Sequence, residues 1–270
     1  MTGKPETPWA FRGENLQIGY SDKPVISGMD LRIPQEKITS IIGPNGCGKS
    51  TLLKGLARII PLQSGTVWLE GQDMARLGTR ETAQSMAMLP QGPQAPEGLT
   101  VEELVSFGRY PHQRGLQSLK EEDRKLIEWA MRETKVYDLR HRSVDRLSGG
   151  QRQRVWIAMA LAQDTPVILL DEPTTYLDMA HQLEILELLE KLNREQHKTI
   201  VVVIHDLNMA ARFSDYLIAM KQGQLLHEGS VEQIMTPGVL KEVFGLEAYI
   251  EQDPWTGKPV MVTYRLAASE

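Results

Sequence analysis

The stretch that most constrains this chain is Gly43-Pro44-Asn45-Gly46-Cys47-Gly48-Lys49-Ser50-Thr51. The apolar run Lys37–Ile42 precedes it and Leu52–Ala57 follows, so the order is strand, glycine-rich turn, helix start. In that context the spacing G-x-x-x-x-G-K-[ST] predicts a phosphate cradle within an α/β fold. Glycines let the backbone curl closely around phosphates, with successive N–H groups pointing inward. A helix starting near Lys49 adds the positive end of its dipole. Lys49 is expected to reach the β- and γ-phosphates, and the Ser50 hydroxyl to hold Mg²⁺. The stretch implies a nucleoside triphosphate site.

Composition sets the limits around that site. The chain has 270 residues, 41% of them hydrophobic, which is ample for one large core. It contains no apolar run of the ~18 residues that a membrane span needs. Met1-Thr2-Gly3-Lys4-Pro5 lacks the apolar stretch of a signal peptide, so a soluble cytoplasmic protein is expected. The only cysteine, Cys47, lies inside the glycine-rich turn, so no internal disulfide can form. Its small size at a crowded turn explains it better than redox sensing. A net charge of −5 argues against a nucleic-acid partner, whose binding surfaces are usually basic.

Residues 9–42 read as short strands, with turns at Ser21-Asp22-Lys23-Pro24 and Pro34-Gln35-Glu36. Tyr20, upstream of the phosphate loop, can be a core or edge tyrosine, or a plate on which an adenine ring stacks. Thr66–Gly71 predicts a strand ending in a turn. Met86–Gln91 predicts a short apolar strand that runs into the proline- and glycine-rich loop 92–98. Thr100 and Glu103 have capping-box spacing. In Glu121–Thr134, Leu126, Ile127, Ala130 and Met131 fall on one helical face, so 92–146 reads as a mostly helical insertion.

Leu147-Ser148-Gly149-Gly150-Gln151 then opens another helix. Ser148 is suited to the N-cap and the glycines bare the backbone, which makes a second anion site at a helix N-terminus. Val167-Ile168-Leu169-Leu170-Asp171-Glu172 is a continuous apolar run ending in two acids, as in a parallel strand buried on both faces. Ligands of such sheets bind beyond the carboxyl ends of the strands. There Asp171 can anchor Mg²⁺ and Glu172 can deprotonate an attacking water. Thr199–Asp206 repeats the design and delivers His205 at a strand tip, where it can contact a γ-phosphate.

These motifs, in this order, resemble the ATP-binding subunits of ABC transporters over nearly the whole chain. Gly43–Thr51 matches the Walker A motif, Gln91 the Q-loop and Leu147–Gln151 the family signature. Val167–Glu172 matches Walker B with its catalytic glutamate, and Thr175-Tyr176-Leu177-Asp178 matches the D-loop. His205 matches the switch histidine, and Tyr20 takes the aromatic A-loop position. The resemblance implies a RecA-like P-loop ATPase core with an antiparallel β subdomain and an inserted helical subdomain. In this single ABC domain, 1–91 and 160–270 form the core and 92–159 the helical part.

It further implies ATP and Mg²⁺ as cofactors, with the metal held by Ser50, Gln91 and Asp171. A homodimer is implied in which Ser148, Gly149, Gly150 and Gln151 of one subunit close on the other's ATP. Catalysis falls to Glu172, His205 and Gln91. Val105–Gln113, Thr174–Leu186 and Asp253–Val260 resemble the importers of ferric siderophores, haem and cobalamin. Ferric siderophore is the favoured cargo, and an exporter ATPase is the alternative outside that group. Two membrane permease subunits and an external solute-binding protein would come from other chains, with this chain peripheral at the cytoplasmic face of the inner membrane. A soluble metabolic kinase would share Gly43–Thr51 but has no use for Leu147–Gln151.

Overall fold

In the computed structural model, residues 8–20, 23–113, 119–175 and 177–268 are described. Ser21, Asp22 and Tyr176, with the N-terminal residues 1–7, lie outside them. The chain divides into two units, Met1–Arg76 with Thr199–Glu270, and Leu77–Lys198. It begins in the first with β1 (Trp9–Tyr20), β2 (Lys23–Pro34), β3 (Ile38–Ile42), α1 (Lys49–Leu56), β4 (Leu62–Leu69) and β5 (Gln72–Asp73). The second unit contributes α2 (Thr79–Ser85), β6 (Met86–Leu89), α3 (Val101–Ser106), α4 (Glu121–Glu133), α5 (Gly149–Ala162), β7 (Val167–Asp171) and α6 (Met179–Gln196). The chain returns to the first unit with β8 (Thr199–Val203), α7 (Leu207–Phe213), β9 (Tyr216–Lys221), β10 (Gln224–Ser230), α8 (Val231–Ile234) and α9 (Pro237–Phe244). It closes with the hairpin β11 (Leu246–Gln252) and β12 (Pro259–Leu266).

In the first unit an antiparallel sheet has the order β2-β1-β4-β5. Residues 9–42 thus form one long hairpin and then β3, rather than several short strands. Register shifts between Gly13 and Leu16, and again before Ile18, break the in–out alternation that a long strand would otherwise show. β4 begins earlier than Thr66 and ends in the turn Glu70-Gly71, where both residues have positive φ and β5 returns as the partner. A second set of strands runs β10-β9-β3-β8, with β3 parallel to both β8 and β9. Every residue of β3 and of β8 is buried, as their continuous apolar runs require.

In the second unit β6 and β7 pair in parallel, with Leu89 opposite Leu170. The capping box at α3 forms as read: the Thr100 hydroxyl accepts from Glu103 N and the Glu103 carboxylate accepts from Thr100 N. Those backbone and hydroxyl hydrogen bonds hold the Glu103 carboxyl below its ordinary range. Ile127, Ala130 and Met131 form the buried stripe of α4. After α3 the chain tightens into a 3₁₀ turn, Phe107–His112, that contains Pro111. A Cβ on Gly108 would stand 2.3 Å from the Met159 carbonyl, so only glycine lets this turn approach α5 so closely. Arg109, buried there, donates to Asp123 at 2.8 Å and to the Ala162 carbonyl at 2.9 Å. Among the described residues no helix is long and apolar enough to cross a membrane.

Candidate active site

The phosphate loop connects β3 to α1 within the first unit. Gly43 has φ 153°, and a Cβ there would meet the Met220 carbonyl at 2.3 Å and Cys47 Sγ at 2.8 Å. Gly48 has φ 105° and is the N-cap of α1, which receives no side-chain cap. The first-turn N–H donors of α1 therefore head the loop with the helix dipole behind them. Lys49 is buried, and its ammonium arches back to donate to the carbonyls of Gly43 at 2.8 Å and Pro44 at 3.0 Å. That places a cation over the loop, where a phosphate charge would need it. Open space surrounds Gly46, on the crest of the turn.

Cys47 is buried beside Gly43, and burial pushes its thiol up against an opposing pull from Lys49. A protonated, enclosed thiol is a packing residue, in keeping with its small size at a crowded turn. The loop is also braced by a residue that sequence reasoning passed over. Gly223 N–H donates to the Cys47 carbonyl at 2.9 Å. Gln222 and Gly223 both have positive φ in the tight turn between β9 and β10, and a Cβ on Gly223 would sit 2.0 Å from the Val25 carbonyl. The signal was present in Gln222-Gly223 between two apolar runs. Its link to residue 47, however, is visible only in three dimensions.

Tyr20 ends β1 as an exposed aromatic, opposite Lys23 in the β1–β2 hairpin. The same hairpin brings Val25 and Ile26 up to Gly48, each within 3.5 Å of the position its Cβ would take. His205 lies two residues beyond the end of β8 and is exposed, and Asp206 caps α7 by accepting from Met209 N. Because Ile41 pairs with Val203, the loop after β3 and His205 leave neighbouring parallel strands at the same sheet edge. The first unit thus gathers Tyr20, Gly43–Thr51 and His205 on elements that touch the loop or adjoin it.

The second unit gathers the remainder. Asp171 is buried at the end of β7, and Glu172 follows with φ 52°. A left-handed conformation is costly for glutamate, on the order of 1–3 kcal/mol, and is held by its surroundings. Gln91, just beyond the neighbouring strand β6, donates from Nε2 to Glu172 Oε2 at 2.6 Å. The Thr175 hydroxyl donates to the same oxygen at 3.1 Å. Two residues picked separately from the sequence, Gln91 and Glu172, are therefore in contact.

At α5 the Ser148 hydroxyl accepts from Gln151 N at 3.2 Å, and Ser148 N–H donates to the Gln151 side chain at 3.1 Å. Ser148 and Gly149 remain exposed, with open space where a Gly149 Cβ would go. Gly150 is pressed against Leu177, whose Cδ2 lies 3.1 Å from a Cβ placed there. Helix start and D-loop thus pack together inside this unit.

The chemistry of these groups fits a magnesium nucleotide. The loop offers N–H donors and a buried ammonium to phosphate oxygens. Ser50 offers a hydroxyl, Gln91 an amide oxygen and Asp171 a carboxylate, the hard oxygen donors that Mg²⁺ prefers.

A family model described as ABC transporter matches residues 26–175. The chain is 56% identical over 257 residues to the iron(3+)-hydroxamate import ATP-binding protein FhuC of Bacillus subtilis (strain 168), covering 95% of this chain and 96% of that one. It is 45% identical over 252 residues to the ferric enterobactin transport ATP-binding protein FepC of Escherichia coli (strain K12), covering 93% of each. Among solved structures it resembles the dimeric post-hydrolysis state of the ATP-binding cassette MJ0796 bound to ADP and Pi. The TM-score is 0.72 at 32% identity, over 82% of this chain and 98% of that chain.

Proposed function

We propose that this chain, which belongs to the ABC transporter family, is the ATP-hydrolysing subunit of an importer for iron–siderophore-type chelates. The observation that carries the cargo class is the likeness to the hydroxamate import protein, which runs through 95% of this chain. The subunit works as a homodimer through its ATP sites, on two membrane permease subunits fed by an external solute-binding protein. It is peripheral at the cytoplasmic face of the inner membrane. A dimeric relative bound to ADP and Pi supports the pairing.

Within this reading each site residue has a role, which the geometry above supports. Tyr20 stacks the adenine, and the backbone of Gly43–Thr51 with Lys49 holds the phosphates. Ser50, Gln91 and Asp171 would hold Mg²⁺, which supplies charge stabilisation to the phosphate oxygens when bound. Glu172 accepts the proton of the attacking water, Gln91 steadies its carboxylate, and His205 contacts the γ-phosphate. Ser148, Gly149, Gly150 and Gln151 face the partner subunit's nucleotide, as an exposed helix start with a bared backbone allows. Cleavage of ATP then releases the pair.

The test of cargo is to isolate the intact membrane complex with its capture protein and identify what that protein holds. An iron chelate is the expected result. Haem or cobalamin would move the assignment to another importer of the same group. A complex with no capture protein would point to an exporter.

A further inference from the structure

We infer that Thr175 is a positioning residue for hydrolysis, holding the Glu172 carboxylate in its working orientation; this rests on reading Glu172 as the base. The turn after β7 makes the contact. Thr175 N–H donates to the Glu172 carbonyl at 3.3 Å, closing a tight turn over Pro173 and Thr174. The Thr175 hydroxyl then reaches back to Glu172 Oε2 at 3.1 Å. An ionised carboxylate can only accept, so the hydroxyl is the donor.

Gln91 Nε2 reaches the same oxygen at 2.6 Å, so Oε2 is gripped from two sides. The two grips differ in kind. Gln91 starts the proline- and glycine-rich loop 92–98 and is joined to Glu172 only across two strands. Thr175 belongs to Glu172's own turn and travels with it. A donor three residues away costs little ordering entropy, and it persists while Gln91 serves a metal. A glutamate held at φ 52° is already out of its relaxed conformation, so its rotamer depends on such ties. Valine at 175 keeps the branched shape and removes the donor, whereas serine keeps the donor.

The test measures ATP turnover by the full-length chain for Thr175→Val and Thr175→Ser, each alone and with Glu172→Gln. Thr175→Val is expected to lower kcat about tenfold with KM for ATP within about twofold, as loss of a hydrogen bond to a charged group predicts. Thr175→Ser is expected to restore most of the rate. In the Glu172→Gln background, Thr175→Val is expected to change the residual rate by less than about twofold, because the two residues act as one unit. An equal loss in both backgrounds, or no rescue by serine, would overturn the role. Parental turnover by Thr175→Val beside an inactive Glu172→Gln overturns it alone. Parental turnover by Glu172→Gln itself overturns the base assignment and this proposal together. Thr175→Ala, read the same way, substitutes if the valine variant does not fold.

Discussion

Glu172→Gln is expected to bind ATP nearly as the parent does and to hydrolyse it about 10²-fold or more slowly. The substitution keeps length and shape, and an amide oxygen can still accept from Gln91 or Thr175, which donate to Oε2. What disappears is the proton acceptor. Binding survives because the phosphate loop belongs to the other unit and its own contacts, Lys49 to Gly43 and Pro44, are untouched. With cleavage blocked, ATP should hold two subunits together long enough to elute as a dimer in size-exclusion chromatography. A variant that hydrolyses ATP at the parental rate would remove Glu172 from its assigned role.

Lys49→Ala should lose most of the affinity for ATP, on the order of tenfold to 10²-fold, since a hydrogen bond to a charged group is among the stronger protein contacts. The ammonium is buried over the loop, so bulk water screens it little. Alanine also leaves the Gly43 and Pro44 carbonyls without the donor that now bridges them, which loosens the turn before any nucleotide arrives. Equilibrium binding of labelled ATP, with circular dichroism to confirm folding, measures the effect. Unchanged affinity in a folded variant would mean that the loop binds phosphate through its backbone alone.

Much of this was legible in the sequence because the decisive residues are consecutive. Gly43–Thr51 carries its own turn, its helix start and its lysine in nine neighbouring letters, and the folded loop realises all three. The buried strands β3, β7 and β8 were legible for a similar reason, since a continuous apolar run has few other homes. The capping box at Thr100 and the N-cap at Ser148 are local motifs and formed as expected.

What the sequence could not show is contact between distant residues. Gln91 and Glu172 meet because β6 and β7 are parallel neighbours, a pairing that no periodicity encodes. Gly223 supports Cys47 across the sheet, and its glycine looks like any hairpin turn until the Val25 carbonyl is seen beside it. The long β1–β2 hairpin reads as short strands in the sequence because its bulges erase the alternation that marks a continuous strand. Arg109 shows the same limit: nothing in its neighbours along the chain marks it as buried, yet it lies against Asp123 and the end of α5.

ATP-driven uptake by the reconstituted complex tests most directly whether this subunit powers import of an iron chelate. Permease subunits and this chain would be placed in sealed vesicles with ATP inside, and capture protein loaded with a radioactive ferric hydroxamate added outside. Iron is expected to accumulate only with internal ATP, and accumulation is expected to stop when Glu172→Gln replaces the parent chain. Accumulation at an equal rate with Glu172→Gln, or ATP hydrolysis that moves no iron chelate, would contradict it.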